Sequence, residues 1–269
     1  MIKERLQAGD VLILDGAIGT ELEGHGIPQL HDASWAECLE THPQIVQKVH
    51  EDYVKAGADI ITTNTYSSGP NVLRKINHGD NIRKWNRLAV DLARRSRDSV
   101  PHTKDIYIAG SVSAFGNGAM RYQGVEDSIQ WGENNSLLLK NNFLQQIEIL
   151  VEAGVDLILL ELLGAGVSDI QLAVETASAC EVPVCLALSG IVFPDSDELW
   201  LQTTDGESGL AKNDRFIDAL NAVSNQDLMA VLTHHIEIDL VSTVLDSIKS
   251  HWKGPMGVYP NRTGQWNGK

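Results

Sequence analysis

Cysteine is scarce in this sequence of 269 residues, which contains three: Cys38, Cys180 and Cys185. They are scattered and odd in number, so they do not suggest the disulfide framework of a small secreted domain. This usage is typical of a protein in a reducing compartment. The sequence therefore predicts a cytoplasmic protein without structural disulfides.

Basic residues are outnumbered, because 21 Lys and Arg face 36 Asp and Glu and the formal net charge is −15. Nucleic acids and anionic membranes are bound by basic surfaces, so neither is expected as a partner. The longest apolar run, VDLILLELLGAGV, is too short to span a bilayer and contains Asp156 and Glu161. The polar beginning, MIKERLQAGD, lacks the order of a signal peptide.

Short apolar runs recur along the chain and predict strands. Most of them lack polar alternation, which is typical of parallel strands whose two faces are both covered. The runs are VLILDG (11–16), ADIITTNTY (58–66), DIYIAGSV (105–112), VDLILLEL (155–162), VPVCLALS (182–189), LMAVLTHH (228–235) and GPMGVYPN (254–261).

Amphipathic segments lie between these runs and predict helices. PQIVQKVHEDYVKAG (43–57) and NNFLQQIEILVEAG (141–154) each place apolar side chains on one stripe and end at a glycine. The sequence contains a weak internal repeat, because VKAGADIITTN and VEAGVDLILLE share the order of helix, glycine, aspartate and apolar strand. The same connection from helix to strand is expected twice.

Strands that alternate with helices predict a parallel sheet with right-handed crossovers. No linker composition divides the chain, so we expect one domain over residues 1–269. A (β/α)8 barrel of the TIM type fits the length, and a doubly wound open sheet is the alternative. In both folds the functional site lies at the carboxyl ends of the strands.

The strand count does not complete a closed barrel, because seven strands are found and eight are needed. Either the eighth βα unit is lacking, or another segment or subunit covers the gap. An uncovered sheet edge favours association with another chain. We therefore expect a homo-oligomer that covers this edge.

The strand ends carry motifs that resemble one family in the same order along the chain. The motifs are LILDGAIGTELEGHGI, HPQIVQKVHEDYVKAGADIITTNTY, IAGSVSAFGNG with RYQG, EAGVDLILLEL and VYPNRTGQW. They resemble the homocysteine S-methyltransferases, from about residue 10 to residue 266. The resemblance implies a TIM barrel that moves a methyl group from a sulfonium, betaine or methylfolate donor to the thiol of homocysteine.

The resemblance also implies a zinc ion, held by three cysteines, that converts the substrate thiol to a thiolate. Here the chain departs from the family pattern, because LTHH stands where the family has a G-x-N-C motif. His234 falls on the asparagine and His235 on the cysteine, and the family's later cysteine pair is absent. We expect zinc or another divalent metal at an altered site, with His235 and His234 as candidate ligands.

His235 is the first candidate for a catalytic residue, as a metal ligand or as a general base. A hydrogen-bonded histidine without chemistry is the alternative. Adjacent residues of an ideal strand point to opposite faces, so one of the two histidines is expected to face the barrel axis. The family alignment favours His235.

Other polar side chains at strand ends complete the predicted site. Glu161 ends an apolar strand, where an unpaired carboxylate would be unfavourable, and its family counterpart binds the substrate's amino group. Asp15 is the third candidate catalytic residue. The predicted substrate-binding residues are Asp15, Gly16, Asn64, Thr65, Ser111, Tyr122, Glu161 and Asn261.

Three functions are compatible with this sequence. The first is methyl transfer from a methylated sulfur or nitrogen donor to a thiol amino acid such as homocysteine. The second is a lyase or hydrolase on the same barrel that acts on a small methylated or amino-acid substrate. The third is a non-catalytic binding protein. The family motifs favour the first.

Overall fold

The computed structural model describes residues 1–102, 104–115, 135–204 and 210–261. Its framework is a curled parallel sheet with helices packed on the outside. The helices are α1 (Ile2–Gln7), α2 (Ile18–Gly24), α3 (Ser34–Thr41), α4 (Pro43–Ala56), α5 (Pro70–Lys75), α6 (Ile82–Ser99), α7 (Asn135–Ala153), α8 (Val167–Ala177), α9 (Phe216–Ala222) and α10 (Val241–His251).

The strands divide into one large sheet and two small hairpins. They are β1 (Ile60–Thr62), β2 (Tyr107–Ser113), β3 (Leu157–Glu161), β4 (Val184–Leu188), β5 (Gly190–Val192), β6 (Leu199–Leu201), β7 (Thr203–Thr204), β8 (Leu210–Ala211), β9 (Ala230–Glu237) and β10 (Met256–Asn261). The large sheet has the parallel order β1-β2-β3-β4-β9-β10. The antiparallel pairs β5-β6 and β7-β8 follow β4 and were not predicted.

Six of the seven predicted strands form, and the barrel-type fold is confirmed. The first run, 11–16, is reduced to a parallel bridge between Leu14 and Ile60. Val11 and Ile13 are exposed, because no strand covers the other edge of this run in the described part of the chain. No eighth strand pairs there with β10 either.

Apolar side chains fill two layers on either side of the sheet. The outer layer packs the sheet against helices such as α7 and α8, with Phe143 and Ile158 fully buried. The inner layer joins residues of β2, β3, β4 and β9 to Ile2 and Leu6 of α1. Helix α1 therefore packs on the residues inside the curled sheet, and the carboxyl ends of the strands are left for the site.

The connections that follow α4 and α7 have the same geometry, as the internal repeat in the sequence predicted. Gly57 after α4 and Gly154 after α7 have φ values of 99° and 89°, which glycine adopts without strain. The aspartate two residues later then accepts a main-chain N–H from the preceding strand segment. Asp59 Oδ2 lies 2.9 Å from Ile13 N, and Asp156 Oδ2 lies 2.7 Å from Ile108 N.

None of the helices in the described ranges is long and apolar enough to cross a membrane. The single domain, the cytoplasmic location and the homo-oligomer stay predictions of the sequence.

Asp59 joins three parts of the fold at the amino end of β1. Its buried carboxylate also pairs with Arg5 Nη1 at 3.2 Å and with Lys104 Nζ at 2.9 Å. Burial alone would raise the pKa of Asp59, but the Ile13 N–H and the two cations outweigh it and lower that pKa. The resulting stabilisation is present above the ordinary aspartate pKa and is lost as the pH falls through the folded-state pKa.

We expect Asp59→Asn to lower the free energy of unfolding by about 1–3 kcal/mol at pH 7, because two cations lose their negative partner and one of the two acceptor oxygens becomes a donor amide. Urea unfolding monitored by circular dichroism measures the change. Asp98→Asn is the matched control, since exposed Asp98 pairs with Arg97 in one surface contact and should change stability by less than about 0.5 kcal/mol. Equal stability of Asp59→Asn and wild type would contradict this role.

Candidate functional site

A cavity of about 360 Å³ opens at the carboxyl ends of the strands. This is the end of a parallel sheet where sites form in barrels. Six of the residues predicted for the site line it: Asp15, Gly16, Asn64, Ser111, Glu161 and His235. Four aromatic side chains line the same cavity: Trp35, Tyr66, Phe115 and Tyr259.

Glu161 ends β3 and is held from two sides. Tyr259 Oη donates a hydrogen bond to Oε1 at 3.1 Å, and the Ser111 hydroxyl donates to Oε2. Burial raises the pKa of Glu161, and the two hydrogen bonds oppose that rise. The carboxyl group is thereby fixed in position at the cavity wall.

Asp15 lies near Glu161 and is held by one residue of β1. Its Oδ2 accepts the Thr62 N–H at 2.7 Å, and its Oδ1 accepts the Thr62 hydroxyl at 2.8 Å. Burial raises the pKa of Asp15 to about 7, so it titrates near neutral pH. The following Gly16 is required by packing, because a Cβ there would lie 2.6 Å from Tyr53 Oη.

The two adjacent histidines do not follow an ideal strand. Tyr259 pairs with His234 and Asn261 pairs with Glu237, so β9 has one more residue than β10 over this interval. This β-bulge and the positive φ of His235, 48°, change the direction of the chain. His235 lines the cavity, as the family alignment favours, although the regular strand assumed for that prediction is interrupted here.

His234 and His235 occupy different environments as a result. The His234 ring is fully buried, 5.3 Å from the Tyr259 ring and 4.9 Å from the His235 ring. Its two nitrogens have no hydrogen-bond partner among the described residues. His235 is exposed in the cavity. Desolvation lowers the pKa of both histidines, which favours neutral rings at pH 7.

Three of the predicted binding residues are not among the described residues that line the cavity. Thr65 is fully buried behind the cavity wall, because its hydroxyl bonds to the Ser111 main chain rather than facing the pocket. Tyr122 lies outside the described residues, and the same is true of the Asn261 side chain at the end of β10.

Trp35 and Tyr259 line the cavity and are not among the residues predicted for the site. Trp35 packs against Gly19, where a Cβ would lie 2.7 Å from the indole ring. The Gly16–Gly19 spacing is a signal that large side chains approach this loop. No pattern in the sequence indicates that Tyr259 reaches Glu161.

The cysteines do not fit the three-thiolate zinc site that the family pattern implies. Cys38 lies in α3, Cys185 in β4, and Cys180 follows α8. Burial raises the pKa of Cys38 and of Cys185 to about 12, so both remain thiols at neutral pH. Within the described residues, no group of three or more His, Cys, Asp or Glu side chains is arranged to hold a metal ion.

We expect Asp15→Asn to change the pH dependence of stability. Because the folded-state pKa of Asp15 is raised, folded protein keeps this proton longer than unfolded protein as the pH rises from about 4 to about 7. Asp15 therefore reduces wild-type stability progressively over that window. The stability of Asp15→Asn relative to wild type should rise by at most about 1.4 kcal/mol per pH unit, then stay level above pH 7.

Urea unfolding of both proteins between pH 4.5 and pH 8 measures this difference. Groups that do not interact with Asp15 cancel in the comparison, among them His50, whose pKa is lowered to about 4 by burial. A difference that does not vary with pH would contradict the raised pKa of Asp15.

Comparisons with known proteins agree with this architecture. A family model described as Homocysteine S-methyltransferase matches residues 12–269. Homocysteine S-methyltransferase 4 of Zea mays is 34% identical over 58% of this chain and 48% of that protein. Homocysteine S-methyltransferase 1 of Zea mays is 27% identical over 98% of this chain and 80% of that protein.

A selenocysteine methyltransferase of Astragalus bisulcatus is 33% identical over 58% of this chain and 51% of that protein. Two of these three alignments thus span about half the length of the curated relatives they match. Among solved structures, the metallated form of the homocysteine methyltransferase MmuM from Escherichia coli has a TM-score of 0.77. It is 22% identical and covers 98% of this chain and 87% of that one. The match over residues 12–269 identifies the chain as a member of the homocysteine S-methyltransferase family.

Proposed function

We propose that this chain transfers a methyl group from a cationic donor to the thiol of homocysteine or a similar amino acid. The observation that carries the proposal is the pair of carboxyl groups, Asp15 and Glu161, in one cavity of a chain from this family. The cavity volume of about 360 Å³ lies in the range of small-molecule sites.

Glu161 is the proposed partner of the substrate's ammonium group. Its two oxygens are already oriented by Ser111 and Tyr259, so binding requires little rearrangement. An ammonium group would also offset the unfavourable burial of the carboxylate. Asn64 and Gly16 line the same cavity and are proposed to contact the rest of the amino acid.

The charge of the cavity favours a cationic methyl donor. Among its described lining residues are two carboxyl groups and no lysine or arginine. Trp35, Tyr66 and Phe115 add aromatic rings, with the centroids of the last two 5.4 Å apart. Aromatic faces and carboxylates attract sulfonium and quaternary ammonium groups. An anionic methylfolate would meet repulsion instead.

His235 is the proposed general base. It lines the cavity, and desolvation keeps its ring neutral near pH 7, so one ring nitrogen can accept the thiol proton. The thiolate sulfur then forms a bond to the methyl carbon while the carbon–sulfur bond of the sulfonium donor breaks. The products are the methylated acceptor, the demethylated donor, which is now an uncharged thioether, and protonated His235.

The proposed reaction is tested with purified protein, homocysteine and each donor class, with methionine quantified by mass spectrometry. We expect product with S-methylmethionine, S-adenosylmethionine or betaine and none with methyltetrahydrofolate, because the first three carry a cationic methyl-bearing centre. Product from methyltetrahydrofolate alone would contradict the charge argument. Folded protein that forms no methionine with any donor would reject the proposed function.

The role of His235 is tested by comparing two acceptors in His235→Ala. A thiol needs a base at neutral pH, whereas a selenol is a stronger acid and is already ionised. We therefore expect His235→Ala to lower kcat/KM for homocysteine by about 100-fold and to change the value for selenocysteine much less. Equal losses for both acceptors would contradict a base. His25→Ala, on an exposed residue outside the cavity lining, is the matched control.

A further inference from the structure

Strand β1 ends before its neighbour β2 does. The main-chain N–H and C=O groups near the end of β2 therefore need hydrogen-bond partners other than β1. The Thr63 N–H donates to Ala109 O at 2.8 Å just past the end of β1. In parallel pairing, alternate residues direct both main-chain groups to the same neighbour. Tyr107 and Ala109 of β2 bond toward β1, so Ser111 presents its N–H and C=O beyond the last residue of that strand.

Two threonine hydroxyls take the place of the missing strand. Ser111 N lies 3.2 Å from Thr63 Oγ1, and Thr65 Oγ1 donates to Ser111 O at 2.7 Å. The two hydroxyl oxygens are 2.7 Å apart. Because Thr65 uses its one proton on Ser111, the proton between the hydroxyls comes from Thr63. The hydrogen bonds therefore form a closed ring through both main-chain groups of Ser111.

The ring is buried and anchored from the helical layer. Thr63 and Thr65 are 1% and 0% exposed. The Thr65 carbonyl accepts hydrogen bonds from Gln146 Nε2 of α7 and from Ser68 Oγ, each at 3.0 Å. Gln146 also donates to Asn86 Oδ1 of α6 at 3.1 Å. A buried network with this many satisfied partners holds its members in one arrangement.

Ser111 connects this network to the cavity, because its hydroxyl donates to Glu161 Oε2. We propose that Thr65 is a positioning residue, which fixes the Ser111 main chain from behind the cavity wall and so directs the Ser111 hydroxyl at Glu161. The effect on substrate rests on the proposed function, in which Glu161 binds the ammonium group. The geometric effect on Ser111 does not depend on it.

Thr65→Val and Thr65→Ser test the proposal, because the first removes the hydroxyl with little change of shape and the second keeps it. We expect Thr65→Val to lower kcat/KM for homocysteine about tenfold, mainly through KM, and Thr65→Ser to restore most of it. Thr176→Val is the matched control: it removes a buried hydroxyl bonded to Leu172 O at 2.7 Å in α8, outside the cavity lining. Its kcat/KM should stay within about twofold.

A double-mutant cycle separates positioning from general destabilisation. Thr65→Val should have little further effect in a Ser111→Ala background, because both changes act on the same oxygen of Glu161. Fully additive losses of kcat/KM in Thr65→Val and Ser111→Ala would overturn the proposal.

Crystal structures of ligand-free wild type and Thr65→Val give a readout that does not require activity. We expect the Ser111 hydroxyl to move out of hydrogen-bonding distance of Glu161 in the variant. An unchanged Ser111–Glu161 contact would overturn the proposal. If wild type methylates no thiol while the contact is lost in Thr65→Val, the proposed function fails and the positioning role stands.

Discussion

The partly buried carboxylate of Glu161 is the constraint around which this site is arranged. A carboxylate at the end of an apolar strand is unfavourable unless polar partners surround it. One partner, Ser111, comes from the neighbouring strand β2. The other, Tyr259, comes from β10, which is separated from β3 by β4 and β9 in the sheet. That hydrogen bond crosses the interior of the curled sheet, so the curl and the site depend on each other.

The two ends of the parallel strands use acidic residues differently. At the amino end, Asp59 and Asp156 accept main-chain N–H groups, and Asp59 also pairs with two cations. At the carboxyl end, Asp15 and Glu161 accept hydrogen bonds from neutral groups and form no ion pair with a cationic side chain of the described residues. The pKa values differ accordingly, lowered for Asp59 and raised for Asp15 and Glu161. Acids at the first end stabilise the fold, whereas those at the second are suited to a cationic ligand.

The β-bulge in β9 lies beside the cavity wall that includes His235. At the position that the sequence resemblance aligns with a zinc-binding cysteine, the chain has His235 with a positive φ. The three cysteines do not come together among the described residues, so a three-thiolate site does not fit. His235 shares the cavity with Glu161, and its neutral ring provides an acceptor for a proton there. The proposed chemistry therefore uses side chains that this chain places together.

The sequence by itself determined the order of the six strands of the large sheet, the repeated glycine joint and the residues at the ends of these strands. These follow from local periodicity and backbone preferences, so Gly57, Gly154 and the polar tips could be predicted. Tertiary structure alone decided which polar residues at the strand ends come into contact and whether each of them lines the cavity. Three features arise from strand lengths and curl. Thr65 is a buried support rather than a cavity residue, β9 bulges next to His235, and Tyr259 bonds to Glu161. Those are long-range properties of the packed sheet, which no local segment encodes.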